Sequence, residues 1–124
     1  MTIAYTCIII CIFIPFFLAG YSKKYSTIKY DNNLARNHVS QLSGKSLNAY
    51  NAEQNCYESF PPFAAAVVIA HQLGHDQSII DLLAITFVVC RLLYVLLYIN
   101  DHGTLRSVAW TLGFISMVSL FFIG

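Results

Sequence analysis

From Thr2 to Tyr21 the chain carries no charged side chain. A helix over that run, at 1.5 Å per residue, is long enough to cross the roughly 30 Å hydrocarbon core of a bilayer. Two further apolar runs of spanning length follow, Ile79 to Ile99 and Leu105 to Phe122. A fourth, Phe60 to Leu73, is interrupted only by His71 and Gln72 and covers about 21 Å as a helix, too little to span alone. If it crosses, its helix begins well before Phe60 and carries Cys56, Tyr57 and Glu58 to membrane depth. Composition points the same way: 57% of residues are hydrophobic and 10% charged, against about a quarter charged in soluble domains. The expectation is an all-α membrane protein, a single domain over residues 1–124 folded as a four-transmembrane-helix antiparallel bundle. Its spans fall at about 2–21, 46–73, 79–99 and 105–122, with Pro61 and Pro62 kinking the second. The competing reading of 46–60 is a surface helix ended by the diproline.

Five of the seven Lys and Arg lie between Lys23 and Lys45. That puts the 22–45 connection on the cytoplasmic side and both termini outside. The positives follow the first apolar run, whereas a signal peptide has them ahead of it, so a retained helix is expected. The link Gly74–Ser78 has no Lys or Arg, as an outer loop should. A net charge of +1 offers nothing to nucleic acid. Cys7, Cys11, Cys56 and Cys90 show no CxxC or Cys/His metal spacing and read as small apolar packing residues. His71 and His75 stand four apart, a helical ligand spacing, but with no third ligand better than Asp76 no metal is expected.

Two polar stripes cross the apolar pattern. Stepping back from Pro62 by 4, 3, 4 and 3 residues gives Glu58, Asn55, Asn51 and Asn48, all on one helical face. Arg91, Tyr94, Tyr98 and Asp101 repeat the stride on the third span. In an antiparallel bundle Glu58 lies about 24 Å and Arg91 about 18 Å from the outer ends, and a guanidinium at such depth needs a partner. The expectation is a Glu58–Arg91 ion pair, supported by Asn55 and structural in role. Asn51, Asn55, Tyr94, Tyr98, Arg106, Ser107 and Trp110 gather around it. They suit an anionic, amphipathic ligand, and a cation among them would lower a thiol pKa. The alternative is that Tyr98, Arg106 and Trp110 form an interface belt of aromatic and basic side chains.

The run N-x-x-E-x-x-x-P-F, here Asn55, Glu58, Pro62 and Phe63, resembles the second-helix motif of the MAPEG family, membrane-associated proteins in eicosanoid and glutathione metabolism. R-x-x-Y-x-x-x-Y at Arg91, Tyr94 and Tyr98, followed by Leu105-Arg106-Ser107, resembles that family's third and fourth helices. The likeness covers nearly the whole chain and is nearest the short bacterial branch. It implies a four-helix protomer in the bacterial inner membrane, assembled as a homotrimer with sites between protomers. By position, Asn55, Glu58, Tyr94, Tyr98, Arg106, Ser107 and Trp110 would line a glutathione pocket. Arg106 would be the catalytic residue that stabilises the thiolate, and Arg91 would brace Glu58. The lipophilic partner would come from the membrane lipid. The chain departs from the pattern at Asn51 and Gln54, where glutathione-using members carry basic residues, and at Tyr94 and Trp110, where branches have His and Tyr. Two functions stay open: a glutathione-dependent transferase or peroxidase acting on lipophilic electrophiles, and a non-catalytic lipid-binding or scaffold protein. A small transporter fits less well, because both stripes favour the inner half and no discontinuous helix is evident.

Overall fold

The computed structural model describes residues 1–123, and among them there is no strand. The first helix, α1 (Ile3–Lys24), is capped twice. The Thr2 hydroxyl accepts from the Tyr5 N–H at 3.2 Å, and the Asp81 carboxylate accepts from the Ala4 N–H at 2.9 Å. Two of the helix's orphan donors are thereby satisfied. Lys23 and Lys24 close its last turn, where cations complement the helix dipole. The helix thus runs three residues beyond the apolar stretch. The basic connection that follows is not bare loop: it holds a 3₁₀ turn at Asn32–Leu34, started by Asp31, and the short helix α2 (Ala35–Val39).

Helix α3 (Gly44–Gln72) is continuous through Pro61 and Pro62. The diproline therefore neither ends a helix at Phe60 nor starts a new one. Both rings sit on the exposed side, while Phe63 beside them is fully buried and stacks on Phe87 with centroids 4.0 Å apart. Gly74, at φ +73°, then ends the helix. The His75 N–H reaches back to the Ala70 carbonyl and the Gly74 N–H to that of His71, a left-handed C-terminal cap that favours glycine. Asp76 starts α4 (Gln77–Ile99) by accepting from the N–H groups of Ser78 and Ile79, two residues ahead of the apolar run. Asp101, at φ +61°, closes α4 with the same kind of cap, and its carboxylate accepts from Asn48 Nδ2 at 2.8 Å. The last helix, α5 (Gly103–Ser119), stops short of residue 122; Leu120 to Ile123 leave it in turns whose N–H groups reach back to Met117, Val118 and Ser119.

The links α3–α4 and α4–α5 are too short for anything but antiparallel neighbours. Helices α1, α3 and α4 pack mutually, and α5 lies chiefly against α4. The faces that meet are small: Ala4, Ala49, Ala52, Ala66, Ala70 and Ala84 are wholly buried. Close backbone approach of this kind is how helices associate where burial from water does not drive them together. The outward faces of α1, α4 and α5 expose Phe13, Phe16, Phe17, Leu82, Leu96, Leu112 and Ile115 instead. Helices α1 and α4 are long and apolar enough to cross a membrane, each with a mean hydropathy of 2.4; α3 and α5 do not meet the same standard.

Candidate functional site

The α4 stripe faces α3 on one side and α5 on the other. Arg91 is 6% exposed, and its Nη1 donates to Asn55 Oδ1 at 2.6 Å. Its guanidinium carbon lies 4.8 Å from the Tyr94 ring centroid and 5.6 Å from that of Phe87. One helical turn on, Tyr94 and Tyr98 meet edge to face at 5.6 Å, and the Arg106 guanidinium rests on the Tyr98 ring at 4.1 Å. Cations and aromatic rings thus alternate along one edge of α4, each guanidinium held by the quadrupole of a ring.

The expected Glu58–Arg91 ion pair is not formed. Arg91 is held by Asn55, its Nε is buried without a hydrogen-bond partner, and Glu58 is exposed. The cause is the rotation of α3. Its buried face follows Ser46, Ala49, Ala52, Glu53, Cys56, Phe63, Ala66, Val67 and Ala70, and the stripe ending at Glu58 runs beside it. The acid that α3 does bury is Glu53, 8% exposed, on the side away from the Arg91 cleft. Ser107 keeps its hydroxyl on its own helix, donating to the Gly103 carbonyl. Trp110, 39% exposed, stacks on Phe114.

Two adjoining hollows join these residues. One is lined by Asn55, Glu58, Ser59, Pro62, Phe87, Arg91, Trp110, Phe114 and Met117. The other is lined by Asn55, Tyr94, Tyr98, Arg106, Ser107, Trp110 and Thr111. Asn55 and Trp110 border both, so the two form one groove between α3, α4 and α5, polar at the Arg106 end and apolar at the Met117 end. All seven residues expected to bind a ligand border this groove; Asn51 does not. Ser59, Phe87, Thr111, Phe114 and Met117 join them in the lining; the sequence reading missed Phe87, Phe114 and Met117 because apolar residues on an apolar helix carry no distinguishing signal, and Ser59 and Thr111 because they stand outside the two polar strides. The volumes, about 140 Å³ and about 290 Å³, fall at or below the 300–1,000 Å³ usual for small-molecule pockets.

His71 uses both ring nitrogens inside the bundle, Nδ1 toward the Val67 carbonyl at 2.7 Å and Nε2 toward the Thr2 hydroxyl at 3.2 Å. Among the described residues no three potential metal-ligating side chains cluster.

No match is found among curated proteins or among solved structures. The model of the MAPEG family matches residues 1–124, the whole chain. With its helical architecture and two membrane-capable helices, the chain belongs to the MAPEG family and is an integral membrane protein.

Proposed function

We propose that the chain is a glutathione-dependent transferase or peroxidase that takes lipophilic electrophiles from the membrane. In this reading α1, α3, α4 and α5 are four spans in the inner membrane of a bacterium, with the basic connection cytoplasmic and both termini outside. Three protomers assemble, and a neighbour completes the groove, which on one chain is small for a tripeptide and its co-substrate.

The observation that carries the reading is the pair of guanidiniums facing one groove, one free beside Tyr98 and one with an unpartnered Nε. Glutathione presents two carboxylates, an ammonium and a thiol, and the groove offers matching groups. Arg91 and Arg106 can receive anionic oxygens or sulfur, and the exposed Glu58 carboxylate can receive the ammonium. Bound glutathione supplies the nucleophile as its thiolate. Arg106 favours that ionised form, because a neighbouring cation lowers a thiol pKa. Tyr98 beneath the guanidinium fixes its position. Trp110, Phe114 and Met117 give the apolar end of the groove, where an electrophile entering sideways from lipid would lie beside the sulfur.

The test is conjugation of glutathione to a chlorinated nitrobenzene by the purified protein. The expected result is a rate above the uncatalysed background and a loss of tenfold or more in kcat/KM for R106A, equivalent to about 1.4 kcal/mol or more. A wild-type protein no faster than background removes the enzyme reading.

The second reading, a non-catalytic lipid-binding or scaffold protein on the same bundle, is favoured by Asn51 and Gln54. Both stand uncharged where the resemblance puts basic residues. It requires a lipophilic ligand to bind with no help from glutathione, and an affinity that R106A leaves unchanged.

A further inference from the structure

The first turns of α5 carry Arg106 and are weakly anchored. Gly103, Thr104, Leu105, Ser107 and Val108 are exposed, and the first residue of the helix to be buried is Ala109. No side chain caps the helix start at His102. The Arg106 N–H donates to the His102 carbonyl at 2.9 Å. Where the Arg106 guanidinium stands is therefore governed by the turn 100–102, from which α5 departs, and by the Tyr98 ring beneath it.

Asp101 is the pivot of that turn. Its φ of +61° is one that glycine adopts freely and other residues rarely, and Gly74 fills the same place at the end of α3. The cap itself uses only backbone groups: the Asp101 N–H donates to the Tyr98 carbonyl and the His102 N–H to that of Leu97. Glycine would serve it at less cost. What the aspartate adds is a carboxylate, and its Oδ1 accepts from Asn48 Nδ2 on α3 at 2.8 Å. Among the described residues this is the only side-chain hydrogen bond from the turn to another helix, since the Asn100 amide turns back to the Leu96 carbonyl. Two turns further along α3, Asn55 accepts from Arg91 at 2.6 Å. The two amides thus tie α3 to α4 at both ends of the stretch where Tyr94, Tyr98 and Arg106 line the groove.

We propose that Asn48 and Asp101 are positioning residues for Arg106: their hydrogen bond holds the α4–α5 turn against α3 and so keeps the guanidinium over Tyr98 at the polar end of the groove. The chemical consequence rests on the glutathione reading, in which that guanidinium stands beside the sulfur and favours the thiolate. Misplacing a group in such a site by about 1 Å can cost about 100-fold in rate, so a bond remote from the sulfur has leverage over it.

The test compares the wild-type protein in detergent with N48A, D101G and D101N. D101G removes the carboxylate and suits the positive φ, so the cap survives. D101N keeps an amide oxygen that can accept from Asn48, on a residue type that tolerates this φ. The first readout needs no glutathione: hydrogen exchange at the Arg106 and Ser107 amides. It is expected to be about threefold or more faster in N48A and D101G, at the wild-type rate in D101N, and unchanged beyond Ala109 in all three. The second is the thiolate absorbance at saturating glutathione and fixed pH, expected to fall by about half or more in N48A and D101G and to be kept in D101N. Wild-type exchange at Arg106 in both N48A and D101G overturns the proposal. Faster exchange spread evenly over the bundle overturns it as well, because the bond would then be a general brace. So does faster local exchange with an undiminished thiolate signal, because the work of Arg106 would not depend on the turn. A wild type with no thiolate signal removes the glutathione reading alone, and the exchange result then decides whether the tie positions Arg106.

Discussion

At the scale of single residues, stability near the groove rests on Asn55. Its amide oxygen is the acceptor for a guanidinium that is nearly sealed from solvent. Removing one partner of such a bond leaves a buried donor unsatisfied and costs about 1–3 kcal/mol. N55A should therefore lower the melting temperature of the detergent-solubilised protein, whereas E58Q should melt like the wild type, because Glu58 is exposed and touches no cation. A thermal melt of both variants checks this, and an E58Q protein as unstable as N55A would return Glu58 to the role of Arg91's partner. The polar stride along α3 was legible in the sequence, and it brought Asn55, Glu58 and Pro62 to the same hollow. Which flank of α3 turns inward was not. That is decided by Ala49, Ala52, Cys56, Ala66 and Ala70, small residues whose weak hydropathy gives little pattern and whose importance lies in letting backbones approach. Glu53 belongs to that inward flank and was overlooked because it lies off the polar stride of Asn48, Asn51, Asn55 and Glu58.

Among the helices, α4 and α5 approach closely at Gly113. A Cβ placed on Gly113 would stand 3.2 Å from Cys90 Cβ, so even one added carbon needs the neighbour to give by a few tenths of an ångström and a larger side chain needs more. G113L should cost about 1–3 kcal/mol through overpacking. Gly20 of α1 has open space around it, so G20A should be neutral or raise stability by up to about 1 kcal/mol. Equal losses for the two would show that α5 does not pack on α4 as described. At the turn before α4, the Ser78 hydroxyl and then the Ile79 N–H hold the Asp76 carboxyl below its ordinary value of 3.8. A carboxyl with a depressed folded-state pKa contributes stability that is complete above its unfolded value and is lost as pH falls through the folded one. D76A should accordingly melt below the wild type at neutral pH, and the gap should close in strong acid. The helix ends follow such caps more than apolar content, which is why α1 and α4 overrun their apolar runs and α5 stops early. The 3₁₀ turn and α2 are too short to show a period; only the turn or helix-start signal of Asp31-Asn32-Asn33 ahead of Leu34-Ala35-Arg36 marks them in the sequence.

For the whole molecule, the family and its helical architecture could be read from the order of the motifs, since N-x-x-E-x-x-x-P-F and R-x-x-Y-x-x-x-Y each sit on the helix the resemblance requires. The groove was legible in outline because its polar members lie on strides of three and four. Its apolar end, formed by Phe87, Phe114 and Met117, needed the packing of α5 on α4 to be seen. The central claim is that this groove binds glutathione and ionises its thiol under the influence of Arg106. The direct measurement is the ultraviolet difference absorbance of the thiolate when glutathione is added to the purified protein near neutral pH. The account predicts a saturable thiolate signal in the wild type and its loss in R106A. No signal in the wild type at millimolar glutathione, or an undiminished one in R106A, would contradict it.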